Sequence, residues 1–451
     1  MRPSVAVVIR LLLLVAVPLA AASCVSAGGS LQPDVADRIR AGTGAVARLE
    51  ASGATPGLPS YVDVRDGISS DEAVAVALWN NAAFQVAVSQ LGFVRADLVD
   101  AGLLANPVLS LLFPAGPKQF EATLRWPAEL LWERPKRVAA ARLSLEAASS
   151  TLVQSGLDLA LSVRLAHADL SVALDRQRLA VEAAAAAQRI AALTQSRLTA
   201  GDIGALDARV ADVDAARASQ DAERAVHGVR LTRERLRLLV GLAADDAALD
   251  TVQASSEPES CGSVPDLLTR AAAARPDLRA AELAIEAAAA RLGWERRRVL
   301  TLMAVLDANG AGIAGFEAGP GTDVSLPIFN RNQGGRLRAQ TELTRASAAY
   351  VALQQQVGLD VREASTLFDQ ARQSREAWRT TLVTPLEANL ADAEDSYRMG
   401  ESSLLFVLEN NRRVIDARLQ EREMAADQRR ALARLERATG TRCAVRSEGE
   451  E

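Results

Sequence analysis

Cysteine, histidine and aromatic side chains are scarce in this chain. Of 451 residues, three are cysteine and two are histidine, and aromatics make up 4%. Cys24 closes an N-terminal apolar stretch, which leaves Cys261 and Cys443 and excludes a multi-cysteine zinc cluster. That pair is a candidate for one disulfide in an oxidising compartment, the alternative being two unrelated thiols. His167 and His227 fall on separate helical runs with no cysteine nearby. A metal site needs three or four convergent ligands, so neither a metal nor a cofactor is expected. No nucleophile motif, phosphate-binding glycine loop or paired-carboxylate pattern occurs, which speaks against an enzyme. Net charge is −5, with basic and acidic residues interspersed, so nucleic acid has no electrostatic footprint to bind. Beyond the first two dozen residues no stretch approaches the roughly 18 apolar residues of a membrane-spanning helix. Any membrane crossing by the remainder must use strands.

Arg2 followed by the apolar run Leu11 to Ala22 has the layout of an export signal. It ends in Ala21-Ala22-Ser23-Cys24, which resembles a lipobox and makes Cys24 a lipidation candidate. Ala21 stands where a leucine is usual, so ordinary small-residue cleavage is the alternative.

Ala, Leu, Arg, Glu, Gln and Asp dominate the rest of the chain, the alphabet of long helices packed through small side chains. From Lys136 to Ala200 there is no proline and one glycine, Gly156. Such a helix would be on the order of 95 Å long, which only a rod or a wall accommodates. Leu143, Leu152, Leu159, Leu165 and Leu170 mark a coiled-coil-like seam along it. The run from about Gly335 to Met399 carries Pro385, where a kink is expected.

The two halves of the chain share one plan, at an offset of roughly 194–200 residues. Asn81-Ala82-Ala83-Phe84 matches Arg275-Pro276-Asp277-Leu278, and Leu124-Arg125-Trp126-Pro127 matches Ser325-Leu326-Pro327. Arg197-Leu198-Thr199-Ala200-Gly201 matches Tyr397-Arg398-Met399-Gly400, and the segments closing at Gly241 and Gly440 also match. Each half reads helix, strand hairpin, very long helix, turn, helix. The expected divisions are a signal at 1–24, an extension at 25–68, repeats at 69–243 and 264–441, a linker at 244–263 and a tail at 442–451. A first helix is expected from Ser69 to about Ala101. Strands are expected within 106–126 around a Pro114/Gly116/Pro117 turn, and over Thr301–Asp307 and Thr322–Ile328, with Gly310 to Gly321 as turn. Ala122 to Trp126 alternate apolar and polar, as when one strand face meets lipid and the other water.

These residues resemble the TolC outer-membrane efflux family, nearest to its CzcC-type heavy-metal branch, over about residues 60–440. The most specific segment is Val324-Ser325-Leu326-Pro327-Ile328-Phe329-Asn330-Arg331-Asn332-Gln333-Gly334, which looks like that branch's strand-to-helix corner. Ala73–Asn81, Gly102–Pro107, Tyr397–Gly400 and Leu404 to Arg413 are further landmarks. The resemblance implies a mainly α fold with a small β part. Long helices would form an α-barrel in the periplasm, and each subunit would give four strands to a trimeric 12-stranded β-barrel in outer-membrane lipid. It also implies a homotrimer, a periplasmic adaptor and an inner-membrane transporter as partners, and passive conduction, with heavy-metal cations as the favoured cargo over drugs or secreted proteins.

The resemblance carries site expectations as well. Gly201 and Gly400 would form the periplasmic tip turns that dock the adaptor, the alternative being plain helix reversals. Glu409, nine residues past Gly400, would face the pore and form an acidic ring that attracts cations, the alternative being a solvated helix residue. Phe406 stands where the prototype has an acid, and would be an apolar plug or a packing residue. Tyr397 matches a tyrosine that latches the closed tip, whereas Ser402 replaces the usual arginine. Arg134-Pro135-Lys136-Arg137, Arg331 and Arg336 sit at the strand-to-helix corners, to neutralise acids, line a water-filled mouth or simply meet solvent. Two rival readings are a periplasmic adaptor, which would show one hairpin, and a coiled-coil rod, which would lack strands.

Overall fold

The computed structural model describes residues 32–49, 57–62, 67–113, 115, 120–242, 249–252, 258, 260–310 and 316–443. The expected signal with Cys24, the Pro114/Gly116/Pro117 turn, parts of the 244–263 linker and the tail beyond Cys443 lie outside them. Helix α1 (Gln32–Thr43) precedes the first half, which runs α2 (Ser70–Asn80), α3 (Ala82–Gly102), β1 (Val108–Leu112), β2 (Phe120–Pro127), α4 (Leu130–Ala200) and α5 (Ala205–Val240). The second half repeats that order as α6 (Val264–Ala274), α7 (Pro276–Arg297), β3 (Thr301–Gly310), β4 (Phe316–Ser325), α8 (Gln333–Trp378) with a π-turn (Arg379–Val383) and α9 (Thr384–Arg398), then α10 (Leu404–Thr439).

Three expectations need correction. The single helix from Ser69 to Ala101 is two helices, because Asn81 turns extended (φ −62°, ψ 118°) between them. Its side chain accepts from Phe84 N at 3.0 Å and donates to Leu239 O at 2.9 Å, so a tertiary contact fixes the break. The strand expected at Thr322–Ile328 lies earlier, at Phe316–Ser325, and takes in Gly319, Pro320 and Gly321. An edge strand tolerates Pro and Gly. Along α4 the seam differs too: Leu152 and Leu170 are buried, but Leu143, Leu159 and Leu165 are only partly so, while Leu145, Leu157 and Val163 are buried. Gly156 packs against Ile39 of α1, whose Cγ2 lies 3.4 Å from where a Gly156 Cβ would sit. This second neighbour spreads the buried face beyond a single stripe.

Contacts divide the chain into two units. One holds 88–152 and 276–354 and is centred on an antiparallel sheet ordered β1-β2-β3-β4. At its corner Arg137 donates to Ala101 O (2.9 Å) and Leu103 O (2.6 Å), capping the carbonyl end of α3. Glu129 accepts from Leu302 N at 3.1 Å, and the buried Glu133 accepts from Trp294 Nε1 at 3.2 Å.

The other unit holds 36–87, 153–275 and 355–443 among the described residues. Ser69 caps α2 reciprocally with Glu72: Ser69 Oγ accepts from Glu72 N, and Glu72 Oε2 accepts from Ser69 N at 2.9 Å. Ser263 caps α6 through one half of that pattern, its Oγ accepting from Asp266 N. Helices α4 and α5 approach through Ala191, Ala211 and Ala215, side chains small enough to bring the axes close. Arg164 bridges Glu436 at 2.6 Å and donates to Thr43 O at 3.0 Å, and Cys443 N donates to Glu436 Oε1 at 3.0 Å. Cys261 and Cys443 are joined as a disulfide, with Cα atoms 5.3 Å apart.

Candidate functional site

The sheet separates its side chains by polarity, as pairing register requires of a two-faced strand. On one face Thr123 pairs with Asp307, Glu121 with Asn309, and Asn309 with Glu317. Thr123 Oγ1 donates to Asp307 Oδ1 at 2.8 Å, and Asn309 Nδ2 to Asp307 Oδ2 at 3.0 Å. Arg125 lies 4.0 Å from Asp323 on the same face. The opposite face pairs Leu109 with Leu124, Leu124 with Leu306, Ala308 with Ala318, and Leu302 with Val324. Water suits the first face and hydrocarbon the second. Within the chain the outer edges of β1 and β4 have no neighbouring strand among the described residues. No described helix is long and apolar enough to cross a membrane.

The two helix reversals, after α4 and after α9, are built alike. Gly201 has φ +78° and Gly400 φ +81°, the left-handed region that a residue with a Cβ enters at a penalty. Gly201 N donates to Leu198 O (3.0 Å) and Asp202 N to Arg197 O (2.9 Å). Gly400 N donates to Tyr397 O (3.0 Å) and Glu401 N to Ser396 O (2.8 Å), the same spacing. Ser402 Oγ then donates to Ala393 O at 3.3 Å. Helix α10 starts from a Ser403 cap, while α5 starts at Gly204 with no side-chain cap.

Helices α4, α5 and α10 line a groove of about 1360 Å³ whose walls alternate acids and arginines. Glu409, Arg412 and Asp416 of α10 line it, as do Asp214 and Arg217 of α5. Two pairs cross from α4 to α10 along its edge, Arg176 with Glu423 and Arg430 with Asp169, the latter at 2.6 Å. Phe406 and Tyr397 are exposed, and neither is among the groove's lining residues. The structure thus places the three expected gate residues near one end of the helices but brings only Glu409 into the groove. His167 is buried on α4, and its Nε2–H donates to Ile68 O at 2.9 Å. Burial holds its pKa below the ordinary histidine value, against the raising effect of that bond. His227 is exposed on α5. Among the described residues no three His, Cys, Asp or Glu side chains converge as metal ligands. Arg275 was missed as an anchoring residue, and only its alignment with Asn81 hinted at it.

Residues 267–441 match the family model described as outer membrane efflux protein. This part of the chain is similar to members of that family. The chain is 26% identical over 358 residues to the cobalt-zinc-cadmium resistance protein CzcC of Cupriavidus metallidurans, covering 78% of this chain and 85% of that one. Its fold is that of the Campylobacter jejuni CmeC outer membrane channel (TM-score 0.68, 15% identity, 89% of this chain and 92% of that one). It is equally that of CusC (TM-score 0.66, 18% identity, 87% and 97%). The likeness to these solved channels is one of fold, and the family match lies in the second half of the chain.

Proposed function

We propose that the protein is one subunit of the exit duct of a tripartite efflux system, with heavy-metal cations as cargo. The observation that carries this reading is the four-stranded sheet with one polar face, one apolar face and two open edges. In lipid an open edge leaves backbone groups without partners, and closure is the remedy. Joining β4 of one copy to β1 of the next through three copies gives a 12-stranded barrel with its polar face inward. The long helices then continue the wall through the periplasm, with Gly201 and Gly400 at the tip where a periplasmic adaptor docks and hands over cargo from an inner-membrane transporter. The duct is passive, and Glu409, which lines the groove with Arg412 and Asp416, supplies the acidic ring at its constriction. The cation cargo is favoured by likeness to the cobalt-zinc-cadmium resistance protein.

Mass in detergent, measured by light scattering on protein taken from the outer-membrane fraction, is the first test. Three chains per particle support the duct, and a soluble monomer would return the rod reading. In planar bilayers Glu409→Gln is expected to weaken cation preference and block by multivalent cations, and unchanged selectivity would remove Glu409 from the gate. Sensitivity of the host to cobalt, zinc or cadmium, against sensitivity to drugs, decides the cargo.

A further inference from the structure

The corner where the sheet meets the helices carries a charge unlike the rest of the chain. Three segments converge there: 128–142, 291–300 and 326–340. Leu302 N and Trp294 Nε1 tie the second segment to Glu129 and Glu133 of the first, and Asn332 Nδ2 ties the third to Glu295 O at 2.9 Å. Glu129, Glu133 and Glu295 are the acids in these segments, and all three are engaged by those bonds and by Asn332 Nδ2 on Glu295 Oε2 at 2.5 Å. Lys136, Arg296, Arg297, Arg298, Arg331 and Arg336 are exposed. The protein as a whole has a formal net charge of −5, so this excess of base is local.

Exposed apolar side chains adjoin it. Leu300 precedes β3, and Leu326, Ile328 and Phe329 follow β4, with Phe329 92% exposed, and Trp132 is exposed at the start of α4. Leu300 and Leu326 each stand two residues beyond Leu302 and Val324 on the sheet's apolar face. Large apolar and indole side chains at the end of an apolar strand face, bordered by arginines, match the boundary between hydrocarbon and anionic headgroups.

We infer that this corner is a basic collar that binds the phosphates of anionic phospholipid headgroups in the leaflet where the strands enter the membrane. The inference rests on the outer-membrane placement of the sheet. Arginine suits the task because its planar fork donates two hydrogen bonds to a phosphate. Each cation near such a surface is worth roughly a five-fold preference.

The test is electron spin resonance of spin-labelled lipids beside the full-length protein in bilayers, comparing phosphatidylglycerol with phosphatidylcholine. The collar predicts a preference of at least about five-fold for phosphatidylglycerol, reduced by high salt and brought near parity in Arg296→Gln/Arg297→Gln/Arg336→Gln. Arg224→Gln/Arg230→Gln on α5 is expected to leave it unchanged. Equal association of the two lipids with the unaltered protein would overturn the collar while leaving the duct intact, as would an equal loss in the α5 variant. A protein that never enters the bilayer would overturn both.

Discussion

The two halves close the same joint with different chemistry. In each, a short helix breaks at a residue whose side chain donates to a carbonyl two positions before the closing glycine. Asn81 reaches Leu239 O before Gly241, and Arg275 reaches Ala438 O at 3.1 Å before Gly440. Both glycines are left-handed, at φ +74° and +71°. In each half the segment before the short helix is also fastened to the segment after that glycine. The first half does so with backbone, Ile68 N donating to Asp250 O (2.8 Å) and Val252 N to Ile68 O (3.1 Å). The second half does so covalently, through Cys261 and Cys443. Shared geometry survives a change from amide to guanidinium and from a two-bond ladder to a disulfide. What the fold demands is the closure itself.

The comparison is broken most severely in the second half. Opening the disulfide, by reduction or by Cys261→Ser/Cys443→Ser, is expected to cost about 5 kcal/mol, given the sequence separation of 182 between the cysteines. Thermal unfolding with and without reductant reads this, and an unchanged midpoint would show that the bond constrains nothing. Next comes Arg275→Ala, expected to cost about 3 kcal/mol, since a buried guanidinium is lost from Asp360 (3.1 Å) and Ala438 O. Arg437 still holds Asp360 at 3.2 Å, which keeps the loss at the low end for a buried pair. Asn81→Ala is expected to cost about 1 kcal/mol in the same denaturant titration. Equal losses at the two positions would erase the distinction drawn between them.

The glycines sharpen it. A Cβ on Gly241 would stand 2.5 Å from Asn80 O, against 3.2 Å from Ala274 O for Gly440. Gly241→Ala is therefore expected to cost about 3 kcal/mol and Gly440→Ala about 2 kcal/mol, the left-handed penalty being common to both. The smallest effect belongs to the first half alone, where His167 holds Ile68 O. A folded pKa below the unfolded one means the unfolded chain binds the proton first. Stability is then full above about pH 6.5 and falls as the pH drops below it. Melting temperatures at pH 7.5 and 5.5 are expected to differ less in His167→Gln than in the native protein.

Element order, the reversals at Gly201 and Gly400 and the closing glycines were legible because each has a local signature: a proline-free run, a glycine, an offset match. The break at Asn81 was legible only in part: its alignment with Arg275-Pro276 marks a helix start, but its second partner is Leu239, 158 positions away. Strand β4 was misplaced because Gly319, Pro320 and Gly321 read as a turn, whereas at a sheet edge they extend. The seam on α4 was misread because α1 supplies a partner that the heptad pattern of α4 does not encode. At the candidate gate, Glu409 and its spacing from Gly400 were readable, but not the arginines that share its groove, which come from separate helices. The barrel and the trimer rest on the resemblance, since no pattern of residues in one chain contains them.

The π-turn at Arg379–Val383 has a further consequence for how the two ends of that rod are phased. A π-turn inserts one residue into the helical count, which rotates everything beyond it by about 100° relative to an uninterrupted α-helix. Residues of α9 therefore answer to a different heptad frame from those of α8. Before the insertion Arg375 meets Glu421 at 3.3 Å and Trp378 Nε1 donates to Ala417 O, and after it Glu387 meets Arg418 at 2.8 Å. The rod can thus keep one face on α10 along both stretches while its sequence repeat changes step, a clutch between two gears cut to different pitch.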